Sequence, residues 1–181
     1  KNRKGDFDLN YIKTMEFYKK LGIRALNVLN SSKYMDICAY TEAQKTFCHH
    51  DFTYHNIIID NEDRVNVIDF DYCKREVRVY DISNFITKVL KRRDWNIDCA
   101  KIIIDSYNEV SPLNEDEYKV LFAFLLFPQR FWRLGNRYYY NEVNWATNTF
   151  NRKIENLIAE QDKYMKFIED FKEVYNQKED I

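Results

Sequence analysis

Residues 48–73 read CHHDFTYHNIIIDNEDRVNVIDFDYC, and this stretch decides the fold. Ile57-Ile58-Ile59 is a β-branched run, residues 60–63 (DNED) form a turn, and Val65, Val67 and Ile68 supply a second strand. In an antiparallel hairpin the start of the first strand faces the end of the second. That pairing brings Asn56 and Asp69 to one edge, with Asp51 on the loop just before them. An amide oxygen and a carboxylate suit Mg²⁺, a hard ion that keeps part of its shell for phosphate. A separate carboxylate can then orient or deprotonate an attacking hydroxyl. All three histidines of the chain, His49, His50 and His55, lie in the same window. The competing reading is a transition-metal site built from His49, His55 and either Asp51 or Asp69. It leaves Asn56 and the Asp69-Phe70-Asp71 end without a role. A histidine–aspartate phosphohydrolase would set its ligands on helices, whereas this window predicts a hairpin.

On either side of the hairpin the pattern is helical. Asp8 is placed to cap a helix running to about Lys20, with Leu9, Ile12, Met15, Tyr18 and Leu21 as its apolar stripe and Gly22 as its end. A second helix is expected over residues 35–45. Asp81 reads as the N-cap of a helix from Ile82 to about Lys91, with Ile82, Phe85, Ile86 and Val89 on one face. Residues 97–110 follow, then a turn at Ser111-Pro112 and a helix from about Glu115 that Pro128 interrupts. A long helical pattern runs from Val143 to Val174, and the tail from Asn176 to Ile181 is expected to fray. The expected class is mainly α with one small β-hairpin, an α+β arrangement in a single domain over residues 1–181.

Composition narrows the function. The 181 residues are 45% hydrophobic and 31% charged, enough for a sizeable core. A net charge of −1 offers no electrostatic case for nucleic acid or an anionic membrane as partner. The longest apolar run, Val120 to Phe127, is too short to cross a bilayer. The N-terminal KNRKGDFDLN lacks the apolar segment of a secretory signal. Cys38, Cys48, Cys73 and Cys99 show no close spacing, which fits reduced thiols and a cytoplasmic protein. Only three glycines are present, so neither common glycine-rich phosphate loop exists here.

The quoted window resembles the catalytic half of protein-kinase-like enzymes. Their loop reads H-x-D with N five residues after the aspartate, and a later D-F-x carries the metal aspartate. Here the matching runs are His49-His50-Asp51 through Asn56, then Ile68-Asp69-Phe70-Asp71. The aminoglycoside phosphotransferase and choline kinase branch is the nearest in pattern. Within it, FCHHDFTYHNIIID, VNVIDFDYC and VYDISNFI resemble the CotS-type spore coat proteins of endospore-forming bacteria. The resemblance covers most of the chain and implies the C-terminal helical lobe of the kinase-like fold. It further implies that Asp51 is the catalytic base or hydroxyl-orienting group. Asn56 and Asp69 would bind Mg²⁺ between the phosphates of ATP, with Asp71 as a second acidic position near the metal. His49 would tie the loop to the metal-binding segment, and Asp81 would open a helix and brace the loop. His50 stands where that branch often has glycine.

Spacing adds a hint about the acceptor. Only twelve positions separate Asp69 from Asp81, too few for the long activation segment of protein kinases, and no A-P-E closes it. Thr53 also replaces the lysine that protein kinases usually place two after the base. Both points favour a small-molecule hydroxyl acceptor over a peptide. Lys74, Arg75 and Arg78 lie between the metal segment and Asp81 and could border its entrance. Arg130, Arg133 and Arg137 recur at three and four and share a helix face, beside Trp132 and residues 138–140. That face could grip an anionic or sugar-containing acceptor, or simply pair with neighbouring acids.

The strand lysine and helix glutamate of a nucleotide-binding first lobe have no place in the helical sequence before residue 51. The chain is therefore expected to be one lobe of a longer protein, inactive alone. Two functions remain in view: an ATP- and Mg²⁺-dependent phosphotransferase, or a catalytically silent kinase-like part of the spore coat with other coat proteins as partners.

Overall fold

The computed structural model describes residues 5–140 and 146–177. Among them are eight α-helices and one two-stranded sheet, as the mainly α pattern with one hairpin requires. Strands β1 (Ile57–Ile59) and β2 (Val65–Val67) pair antiparallel with Ile57 opposite Val67. Ile68 N–H continues the ladder by donating to Asn56 C=O at 3.0 Å.

The core is organised around α5 (Glu115–Leu126), whose Val120, Leu121, Phe122, Ala123, Leu125 and Leu126 are all buried. A helix apolar on every side must be covered all round. Here α1 (Asp6–Asn30), α2 (Tyr34–Gln44), α3 (Val79–Leu90) and α8 (Gln161–Val174) pack against it. Its start is closed by a capping box, Asn114 accepting from Glu117 N–H and Glu117 accepting from Asn114 N–H. Its last carbonyls would be orphans in an apolar interior. The Tyr164 hydroxyl donates to Leu125 and Leu126 C=O at 2.7 and 3.1 Å and satisfies them. Burial pushes the Tyr164 phenol well above its usual range, which keeps it a donor. The remaining helices are α4 (Ile97–Val110), α6 (Gln129–Tyr139) and α7 (Thr147–Ala159).

Several boundaries differ from the sequence pattern. Helix α1 passes through Gly22 to Asn30, because Leu21, Ala25 and Val28 continue its buried stripe toward α5. That stripe starts at Phe7 and Thr14, while Leu9, Ile12 and Met15 are exposed. Gly5 holds the N-cap position, and Asp8 serves as its capping-box partner. Helix α3 begins at Val79, so Asp81 sits in its first turn and leaves its carboxylate for another use. The long C-terminal pattern splits into α7 and α8 at Glu160. Its expected start at Val143 lies outside the described residues, as do residues 178–181 of the tail.

Candidate active site

The loop between α2 and β1 is pinned from three sides. Cys48 forms an isolated antiparallel bridge with Lys74, N–H to C=O at 2.9 and 3.2 Å. Its buried thiol contacts the carbonyls of Glu76 and Val77, and burial with the nearby Asp81 charge pushes it up to about 12. From α3, the Asp81 carboxylate accepts His49 N–H at 2.6 Å and His50 N–H at 2.9 Å, one on each oxygen. An anion in the first turn of a helix is also favoured by the helix dipole. The third anchor is the His49 ring. Nδ1 accepts from Asp51 N–H at 3.3 Å, so Nε2 carries the proton and donates to Ile68 C=O at 2.9 Å. One buried imidazole thereby links the loop to the residue before Asp69.

His50 adopts a left-handed conformation with φ of 63°, which explains why glycine suits this position. Its ring lies against Tyr80 at 4.2 Å, and its buried Nε2 has no hydrogen-bond partner. Burial, with help from Lys74, holds the imidazole below its usual pKa.

Asp51 follows, half-buried. Its Oδ2 and its backbone carbonyl accept from Asn56 Nδ2 at 3.2 and 2.9 Å. Asn56 is buried and commits its amide nitrogen to Asp51, which leaves Oδ1 as its metal-capable atom. Across the hairpin Asn56 C=O binds Ile68 N–H, and Asp69 comes next with φ of 65°. Asp69 and Asp71 are exposed. An amide oxygen and an exposed carboxylate fit the donor set Mg²⁺ takes from protein while it draws other ligands from phosphate and water. Among the described residues no three His, Cys, Asp or Glu side chains converge as a metal cage. The transition-metal reading also fails on His49, whose two ring nitrogens are both engaged, and His55 is exposed on the single 3-10 turn at residues 54–56.

Helix α3 carries a stripe that the sequence reading missed. Asp81, Phe85, Lys88 and Arg92 recur at four, three and four, so they line one side of the helix and the turn after it. Each meets one part of the loop. Asp81 holds residues 49 and 50, and Phe85 packs on Phe52 with centroids 5.2 Å apart. Lys88 Nζ lies 2.7 Å from Asp51 Oδ1, and the Arg92 guanidinium lies 4.6 Å over the Tyr54 ring. The Lys88 hydrogen bond leads in holding the Asp51 carboxyl below the usual range, with Asn56 adding to it. Thr53 is buried and caps the 3-10 turn by accepting His55 N–H, and the cation beside Asp51 is Lys88 of α3. The signal was available as a helical repeat counted from Asp81.

The basic residues proposed for the acceptor divide. Arg78 makes a bidentate pair with buried Glu117, Nε to Oε1 at 2.5 Å and Nη2 to Oε2 at 2.7 Å, and also binds Ser111 and Pro112. These contacts tie Arg78 to the start of α5. Arg75 pairs with Glu42, and Lys74 is exposed beside the Cys48 bridge. Arg130 pairs with Glu160 at 2.5 Å, while Arg133 is exposed on the same face of α6.

Comparison with known proteins agrees with this fold. A sequence model for the family described as "Spore coat putative kinase YutH" matches residues 1–171. Spore coat protein S of Bacillus subtilis is 27% identical over 175 residues, covering 93% of this chain and 48% of that protein. The crystal structure of an aminoglycoside phosphotransferase from Alicyclobacillus acidocaldarius superposes with a TM-score of 0.82 at 21% identity, over 97% of this chain and 52% of that one. The fold is therefore that of the kinase-like phosphotransferases, and the chain spans about half the length of the relatives it matches. No helix among the described residues is long and apolar enough to cross a membrane.

Proposed function

The chain belongs to the YutH family of spore coat proteins, and from that premise we propose that it is the C-terminal lobe of an ATP-dependent kinase of small-molecule hydroxyls. The observation that carries this reading is the double link from Asp51. It reaches Asn56 directly and the Ile68-Asp69 end through His49. Asp51, held ionised by Lys88, orients the acceptor hydroxyl and accepts its proton as the oxygen bonds to the γ-phosphorus of ATP and the bond to the leaving ADP oxygen breaks. Asn56 Oδ1 and the Asp69 carboxylate would hold Mg²⁺, with Asp71 nearby in sequence. When bound, that ion neutralises charge on the transferring phosphoryl group. His49 and Asp81 hold the loop, so the three groups keep their relative positions without reorganisation.

The hairpin supports a preceding nucleotide-binding lobe in the parent protein. A lone two-stranded sheet is marginal in water, and this one leaves Ile58, Ile59 and Val65 exposed, with Phe70 and Tyr72 beside it. An apolar surface rimming a polar site marks a face that another part covers. Residence in the spore coat with coat proteins as partners is supported by the family and by the name of the Bacillus relative.

A kinase-like coat component that binds without transferring is the second reading. It is favoured by one feature: both carboxylate oxygens of Asp51 are engaged, by Lys88 and by Asn56. ATP consumption by the parent protein with Mg²⁺ across an acceptor panel separates the two. Turnover that disappears in Asp51→Asn supports the kinase. No turnover with any acceptor, and no nucleotide-induced thermal shift, supports the silent component.

A further inference from the structure

A second polar pocket lies outside the loop, between α6, α7 and the end of α3. Its cavity of about 270 Å³ is lined by Arg130, Arg133 and Arg137 of α6, Lys153 and Asn156 of α7, and Lys91 after α3. Leu134 and Leu157 complete the wall, so five of its eight lining residues are basic, in a chain whose net charge is −1. The carboxylate beside them, Glu160, is committed to Arg130 at 2.5 and 3.4 Å and to the Trp95 indole N–H at 3.3 Å. Among the described residues neither Lys91 nor Arg133 has a carboxylate within ion-pair distance. Arg137 and Lys153 make other contacts. Burial lowers the Lys91 pKa, and the positive charges of Arg130, Lys153 and Arg92 lower it further against the pull of Glu160. Lys91 and Arg133, drawn from two elements to one concavity, are therefore the cations that an entering anion would meet.

The pocket's place matters as much as its charge. Lys91 follows Lys88 by three residues, about 5 Å of rise along a helix, and Lys88 touches Asp51. The next residue, Arg92, lies over the Tyr54 ring of the loop. Lys91 on the pocket and Lys88 on Asp51 are thus neighbours along one helix and its last turn.

We propose that this pocket binds the anionic end of the acceptor, a hydroxyl compound bearing a phosphate or paired carboxylates, while its hydroxyl sits at Asp51. The assignment rests on the phosphotransferase reading of Asp51. It names a substrate class opposite in charge to the polycationic amino sugars, which this pocket would repel. Arginine forks suit both phosphate and carboxylate oxygens, so the two sources are separated by experiment.

The chain itself is titrated with pyrophosphate by calorimetry, as the wild type, as Lys91→Ser/Arg133→Ser, and as the charge-retaining Lys91→Arg/Arg133→Lys. Both positions are at the pocket surface, and removing like charges there relieves repulsion, so each variant is expected to fold. Pyrophosphate affinity is expected to fall about tenfold or more in the serine pair and to survive in the charge-retaining pair. The parent protein is then assayed for ATP-dependent transfer to a hexose 6-phosphate, a hydroxy-dicarboxylate, the neutral hexose and an aminoglycoside. At least about tenfold higher kcat/KM on one anionic acceptor is expected, with that preference lost in the serine pair while turnover on the neutral hexose persists. Equal pyrophosphate binding by wild type and serine pair, or a preference the substitutions do not change, overturns the proposal. Substitution-sensitive pyrophosphate binding without transfer to any acceptor overturns the acceptor role through failure of the phosphotransferase reading, a distinct result.

Discussion

Lys88 and Asp51, thirty-seven residues apart, meet with Nζ 2.7 Å from Oδ1 because α3 runs alongside the loop that carries the aspartate. Both side chains are more than a third exposed, so the pair contributes little to stability and matters for the state of the carboxylate. Lys88→Met is expected to leave stability within about 1 kcal/mol. It should raise the Asp51 pKa toward its ordinary value of 3.8. The acidic limb of the parent protein's pH–rate profile then moves to higher pH, and Lys88→Arg restores it. An unmoved limb would show that Lys88 does not act on Asp51.

Asp81 accepts two backbone N–H groups, one on each oxygen. Asn at this position keeps one acceptor and turns an NH₂ toward the second donor. Asp81→Asn is expected to cost about 2 kcal/mol, or roughly 4–8 °C in Tm for a chain of this size. Thermal unfolding of the chain measures it.

Glu117 is a buried carboxylate at the start of α5. Burial raises its pKa, but Arg78 and the Asn114 N–H outweigh that and hold it low. The folded form thus gains stability above the ordinary carboxyl pKa of 4.5 and loses it as pH falls through the lowered value. Arg78→Met strands the charge and is expected to destabilise the chain by about 3 kcal/mol at neutral pH. The loss should shrink as pH falls toward the lowered value, where Glu117 of the wild type also takes up its proton. Denaturant titration at pH 7 and pH 4 gives both values.

His50 combines a left-handed backbone with a buried, unpartnered nitrogen. Its folded pKa lies below the ordinary 6.5, so the unfolded chain binds a proton first as pH falls. Stability from this residue is complete above pH 6.5 and declines through the lowered folded pKa. His50→Asn tolerates the same φ and does not titrate. Unfolding free energy measured from pH 7.5 to 5.5 should fall in the wild type and be flatter in the variant.

The hairpin and its polar ends were legible because a β-branched run, an acidic turn and a second run leave little choice of pairing. The bounds of α4 and the break at Pro128 were legible for similarly local reasons: an Asn96 cap, and a residue without N–H. What escaped was set by tertiary partners. Gly22 looked like a helix end, yet the chain on both sides buries against α5, and packing outweighs its propensity cost. Asp81 looked like a cap because it precedes an apolar run; its carboxylate is spent on residues 49 and 50 instead. Lys88 carried no motif, and only the path of α3 beside the loop gives it a role. Arg78 looked free in sequence because Glu117 lies thirty-nine residues away.

In the proposed kinase the Asn56 and Asp69 ends of the hairpin hold one metal–nucleotide beside Asp51. Manganese–ATP bound to the parent protein tests it, since the paramagnetic ion broadens nearby amide resonances. Broadening should concentrate at residues 51–56 and 68–71 and be lost in Asp69→Ala. Broadening centred elsewhere, or unchanged by that substitution, would contradict the claim.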